Sequence, residues 1–183
     1  NGWNDTKKLI IIYGIASGMS YLHSNEIIHH DLKPSNIFVD ENLYPKIGEF
    51  GKFTKLQMQR SMTSQSTSKM RNDPNYSAPE VLNSEDATKA SDVYSFAMIV
   101  FEILAKEKPF KELNNINQIF FEVVTKSRRP VMPFDEVPQC YIELIESCWS
   151  QDPNDRPSFN QIVEVLKSDS RFLNENVNKE EFF

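Results

Sequence analysis

Ile27 to Asp40, reading Ile-Ile-His-His-Asp-Leu-Lys-Pro-Ser-Asn-Ile-Phe-Val-Asp, sets a polar octet between two short runs rich in β-branched and aromatic residues. That alternation predicts a loop held by strands. The loop offers a carboxylate at Asp31, an ammonium at Lys33 and an amide at Asn36, and Pro34 fixes one backbone angle between them. Such groups can accept a proton, pair with a phosphate and ligate a hard metal ion. Past the turn formers Asp40, Glu41, Asn42 and Pro45, a second short run ends in Gly48-Glu49-Phe50-Gly51 and places another carboxylate beside a ring and a glycine. A hairpin would bring the two loops together.

The remaining pattern is mostly helical. Asp5 or Thr6 is placed to cap a helix whose apolar positions Leu9, Ile12, Ile15, Ala16, Met19 and Leu22 follow the helical period, with Asn25 suited to its end. From Ser91, the positions Val93, Phe96, Ala97, Val100, Phe101 and Leu104 predict a helix apolar on nearly every face, hence central. Three more helical patterns run from Asn115 to Lys126, Pro138 to Trp149 and Ser158 to Lys167. Between hairpin and central helix, Lys52 to Tyr76 has no periodicity, and six of the eight residues from Ser61 to Ser68 are Ser or Thr, a composition that cannot bury itself. Ser168 to Phe183 reads as a loosely held polar tail.

Composition excludes some partners. A net charge of −6 with no basic run longer than Arg128-Arg129 argues against a nucleic-acid footprint. The longest apolar stretch outside the first helix, Phe96 to Leu104, is interrupted by Glu102 and falls far short of the ~20 residues a membrane span needs, so no membrane partner is expected. Cys140 and Cys148 lie on one predicted helix and read as reduced core thiols of a cytoplasmic protein.

The octet resembles the catalytic loop of eukaryotic protein kinases, His-Arg-Asp with Asn five residues after the Asp. Glu49-Phe50-Gly51 resembles their Asp-Phe-Gly, and Ala78-Pro79-Glu80 the motif closing their activation segment. Three motifs in the family's order and spacing make a far stronger signal than any alone. The resemblance spans roughly residues 3 to 167 and implies a mostly α fold. The fold expected is the kinase C-terminal lobe (residues 1–167, with a tail at 168–183), a helical bundle whose small β-hairpin carries the catalytic and metal loops. The β-rich N-terminal lobe is not expected within these 183 residues, since the five glycines cannot spell a Gly-rich loop and no Val-Ala-x-Lys run occurs.

By resemblance, Asp31 accepts the proton of a substrate hydroxyl, Lys33 neutralises the transferred phosphoryl group as in Ser/Thr-directed members, and Asn36 and Glu49 hold Mg2+ with ATP. Phe38 matches the apolar floor under adenine; taken alone it reads as core. His29 packs on Phe50, Asp92 accepts hydrogen bonds from the catalytic-loop backbone, and Glu80 with Arg156 forms a buried pair. Ser61, Thr63, Ser64, Ser66, Thr67, Ser68 and Asp73 belong to the activation segment, as a solvated or a regulated loop. His23 reads as structural.

Three positions depart from the family. Glu49 replaces aspartate, His30 replaces the arginine that grips a phosphorylated activation segment, and Asp73 stands in Asn72-Asp73-Pro74 where Gly-Thr-Pro is usual, bringing a second carboxylate towards Asp31. Cys148-Trp149 and Asp152 to Phe159 resemble the tyrosine-kinase-like group. The function expected is ATP-dependent phosphorylation of Ser/Thr in protein substrates, weak or absent in this chain as it stands. The alternative is a pseudokinase or truncated lobe that serves as a protein-binding scaffold.

Overall fold

The computed structural model describes residues 4–49, 73–113, 115–132 and 137–182. Helix α1 (Asp5–Ser24) buries Leu9, Ile12, Ile15, Ala16, Met19 and Leu22. Its cap is Asn4, whose side chain accepts from the Lys7 N–H at 2.9 Å, rather than Asp5 or Thr6. Thr6 is buried, and its hydroxyl oxygen instead accepts from the Asn178 N–H at 2.9 Å. Asn25 ends the helix as expected.

The hairpin forms as β1 (Ile37–Val39) paired antiparallel with β2 (Pro45–Ile47), Ile37 opposite Ile47. It is fastened to α1 by two glycines one helical turn apart. A Cβ on Gly14 would fall 2.5 Å from Pro45 Cγ, and one on Gly18 would fall 2.7 Å from Ile47 Cδ1. The glycines are therefore a contact track for β2, at the helix-propensity cost of about 1 kcal/mol each. Their spacing was visible in the sequence, but nothing there said which element would approach.

A short helix α2 (Pro79–Leu82) escapes the periodicity because four residues are too few to show one. The central helix α3 (Lys89–Ala105) starts in a capping box between Thr88 and Ser91 and ends at Lys106, whose φ of 56° breaks the helix. Its buried residues include Val93, Phe96, Ala97, Val100, Phe101 and Leu104, so nearly all its faces are covered. Helix α4 (Ile116–Phe120) runs into one wide π turn (Phe121–Thr125), followed by α5 (Gln139–Cys148) and α6 (Phe159–Ser168). α1 packs on α6 and α3, and α5 also packs on α3.

The C-terminal stretch corrects its reading as loosely held. Phe172 and Val177 are buried, Phe172 meets the Tyr141 ring edge-on at 4.9 Å, and Phe182 of α7 (Lys179–Phe182) meets Tyr13 at 5.2 Å. Scattered apolar anchors tie down an otherwise polar segment, and they carry no period to reveal it. Both cysteines are free and buried, with burial pushing the Cys148 thiol up to about 12, as expected of inert core thiols. Among the described residues no helix is long and apolar enough to cross a membrane.

Candidate active site

The octet folds as a loop closed by a single 3-10 turn at Pro34–Asn36, where Pro34 supplies the first helical position. This turn swings Asn36 back onto Asp31. The Asn36 amide donates to the Asp31 carbonyl at 2.7 Å and to Asp31 Oδ2 at 3.2 Å, while Lys33 Nζ lies 2.8 Å from the same Oδ2. Both contacts fall on one oxygen, so Asp31 Oδ1 has no partner among the described residues. Asn36 likewise spends its NH2 on Asp31, which leaves its Oδ1 as an acceptor.

The Gly48 N–H donates to the Asn36 carbonyl at 2.9 Å, which puts the second loop one residue from the first. Gly48 also admits the Phe38 ring, because a Cβ there would lie 2.6 Å from Phe38 Cε2. Glu49 follows at the surface with φ 63°. Phe38 itself is 58% exposed, which corrects its reading as core: it stands on the open face of the hairpin. Phe50, with Ser61, Thr63, Ser64, Ser66, Thr67 and Ser68, lies outside the described residues, so the contact of His29 with Phe50 does too.

His29 links the two loops by another route. Its ring Nε2 bonds the Gly48 carbonyl at 3.0 Å, and Nδ1 accepts from the Asp31 N–H at 3.3 Å. Both bonds can be made at once only by the neutral ring. Burial pushes the His29 pKa below its ordinary 6.5, and burial does the same to His30. A histidine whose folded pKa lies below its unfolded value favours folding while neutral. Its contribution is whole above the unfolded value of about 6.5 and is lost as the pH falls below that and through the lowered folded pKa. The urea midpoint should therefore stay level above neutrality and fall below about pH 6.5, less steeply in His29→Gln. A midpoint that rises on acidification would contradict this.

Asp92, in the first turn of α3, holds the loop from beneath and is 1% exposed. Its Oδ2 accepts from the His29 N–H at 2.8 Å and its Oδ1 from the His30 N–H at 3.1 Å. His30 has φ 70°, a left-handed conformation costing an L-residue roughly 1–2 kcal/mol. Two hydrogen bonds to one buried carboxylate offset that strain and turn Asp31 outward. The sequence placed Asp92 here but missed its third partner, the His23 ring, whose Nε2 lies 2.9 Å from Asp92 Oδ2.

Asp73 does reach the neighbourhood of Asp31: both line a small cavity of about 10 Å³ with His30, Tyr76 and Asp92. Its charge, however, is met by Lys108 Nζ at 3.1 Å and not by Lys33. Burial would raise the Asp73 pKa, but hydrogen bonds from Asn75 and Lys108 outweigh it and hold the carboxyl below its usual range. The expected like-charge conflict is thus defused by a lysine 35 positions away, which no local pattern indicates.

Glu80 and Arg156 form the buried pair expected of them, with Nη1–Oε1 at 2.7 Å and Nη2–Oε2 at 2.9 Å. Arg156 also donates to the Ser150 and Ala90 carbonyls, so α2, α3 and the turn before α6 are joined at one guanidinium.

A sequence profile described as the protein kinase domain matches residues 4–166. The chain belongs to the protein kinase family. It is 39% identical over 160 residues to the probable serine/threonine-protein kinase drkC of Dictyostelium discoideum. It is 36% identical over 158 residues to the serine/threonine-protein kinase STY17 of Arabidopsis thaliana, and 38% over 153 residues to the dual specificity protein kinase shkC of Dictyostelium discoideum. These matches cover 84%, 86% and 82% of this kinase chain but only 20%, 26% and 30% of the three relatives. The chain thus spans less than a third of their length. The family in general uses ATP and Mg2+ and acts on proteins.

Proposed function

We propose that this kinase chain is the C-terminal lobe of a Ser/Thr protein kinase domain, residues 1–167 with a tail at 168–183, and that its hairpin end positions a protein hydroxyl for phosphoryl transfer from ATP. The observation that carries the reading is the asymmetry of Asp31. Lys33 and Asn36 hold Oδ2, and Oδ1 is left to accept the proton of a serine or threonine hydroxyl. Lys33, 2.8 Å from that carboxylate, is placed to meet the negative charge of the transferred group.

The donor set suits magnesium. Among the described residues no three or more His, Cys, Asp or Glu side chains cluster as a metal cage, while Asn36 Oδ1 and the Glu49 carboxylate offer hard oxygens. Magnesium is commonly held in this way, by one or two protein oxygens completed by phosphates and water. When bound, Mg2+ with ATP supplies the phosphoryl group and neutralises charge on its oxygens. Phe38, exposed beside Gly48, is the apolar surface available to a purine.

A scaffold role has one observation in its favour: Glu49 stands where aspartate is usual, on backbone that suits glutamate poorly. The acceptor preference tests the first reading. Fused to the N-terminal lobe of a relative, the chain should label Ser and Thr peptides and leave matched Tyr peptides unlabelled; labelling confined to Tyr would overturn the Ser/Thr assignment.

A further inference from the structure

Asp73 opens a tight turn that spends its polar groups locally. Its Oδ1 accepts from the Asn75 N–H at 3.1 Å and from Asn75 Nδ2 at 2.6 Å, and its carbonyl accepts from the Tyr76 N–H and the Ser77 hydroxyl, each at 3.1 Å. Two residues of α3 fasten the turn: the Ser95 hydroxyl donates to the Tyr76 carbonyl at 2.8 Å, and Glu102 accepts from the Tyr76 hydroxyl. The other carboxylate oxygen of Asp73, Oδ2, turns outward and meets Lys108 Nζ at 3.1 Å.

The backbone that presents Lys108 is fixed on both sides. Lys106 and Phe110 take left-handed φ values of 56° and 54°, and Phe110 is buried, so the loop after α3 follows one path back over the turn. Lys108 Nζ also stands 5.9 Å from the centre of the Tyr76 ring, within cation–π range. A flexible side chain thus gains two partners that fix where its charge sits.

That placement matters at the catalytic loop. Asp31, Asp73 and Asp92 border one cavity of about 10 Å³, room for a single water, so their charges are met by protein groups. Asp92 is met by the His29 and His30 amides, Asp31 by Lys33 and Asn36, and Asp73 by Lys108. Without Lys108, the Asp73 carboxylate would compete with Asp31 for Lys33.

We propose that Lys108 is a positioning residue for phosphoryl transfer: it holds the Asp73 charge away from the catalytic loop and so keeps Lys33 for Asp31 and the transferred group. The effect on rate rests on the reading of Asp31 as proton acceptor and Lys33 as neutraliser of charge; the charge arrangement itself does not. The Lys108 and Asp73 side chains are 48% and 29% exposed, so their pair adds little to stability and its weight falls on the reaction.

Lys108→Met keeps the apolar stem over Tyr76 and removes the charge. In the chain fused to the N-terminal lobe of a relative, it should lower kcat about 10-fold and leave the KM for ATP unchanged, since Lys33 acts on charge that develops in transfer. Its thermal melt should stay within ~4 °C of wild type. Asp73→Asn retains an oxygen for Asn75 without the charge, so adding it to Lys108→Met should restore kcat. In the 13C,15N-labelled 183-residue chain, the Lys33 Cε and Nζ resonances should move in Lys108→Met and return in the double variant. An unchanged kcat in Lys108→Met, an equal loss in the double variant, a melt that falls with the activity, or Lys33 resonances that ignore Lys108 would each overturn the proposal. A fused protein that transfers no phosphate at all, while Lys33 still answers to Lys108, would instead overturn the reading of Asp31 and leave the charge arrangement standing.

Discussion

Arg156→Met should cost about 3–5 kcal/mol of folding stability, a large part of the ~5–15 kcal/mol that a domain of this kind possesses. The Arg156 side chain is fully buried and Glu80 is 9% exposed, so removing the guanidinium strands a carboxylate in the interior. It also orphans the Ser150 and Ala90 carbonyls, to which Arg156 donates at 2.9 and 3.0 Å. The urea midpoint of the single variant measures the loss. Glu80→Leu combined with Arg156→Met should recover much of it, because a buried pair replaced by apolar side chains of similar volume is often near neutral. A single variant within about 1 kcal/mol of wild type would show that the pair does not hold these elements together.

Glu49→Asp should raise Mg2+-dependent turnover by roughly 10- to 100-fold once the chain is fused to the N-terminal lobe of a relative. Glutamate carries its carboxylate about 1.5 Å further out than aspartate. Magnesium tolerates ligand distances only near 2.0–2.1 Å, and a misplacement of ~1 Å at a reacting centre can cost ~10²-fold. The backbone works in the same direction, since φ at Glu49 is 63° and aspartate is one of the few side chains at ease there. The Mg2+ concentration giving half-maximal rate should fall along with the gain in rate. If neither moves, Glu49 is not a metal ligand.

Much of this was legible before the fold was known, because the octet, the second loop and the late helices are local patterns. Asp31, Lys33 and Asn36 share one turn fixed by Pro34, and the helical periods of α1 and α3 are strong. Features built from distant residues were not legible. Lys108 neutralising Asp73, His23 joining Asp92, and β2 lying on Gly14 and Gly18 each pair residues at least 29 apart in the chain. The cap at Asn4 lies one or two residues before the expected Asp5 or Thr6 because Asn4, Asp5 and Thr6 are all good caps, and tertiary contact with Asn178 claims the Thr6 hydroxyl. The C-terminal anchors Phe172 and Val177 were missed because burial there is set by the surface they meet and not by their neighbours in sequence.

The role of Asp31 is tested most directly by transfer of labelled γ-phosphate from Mg2+ and ATP to a Ser/Thr peptide, using the fused Glu49→Asp protein with and without Asp31→Asn. Asparagine keeps the shape and the contact with Lys33 but cannot take a proton, so incorporation should fall at least ~100-fold, within the range general-base removal produces. Incorporation that stays within about threefold of the parent would contradict the assignment of Asp31 as the acceptor of the hydroxyl proton.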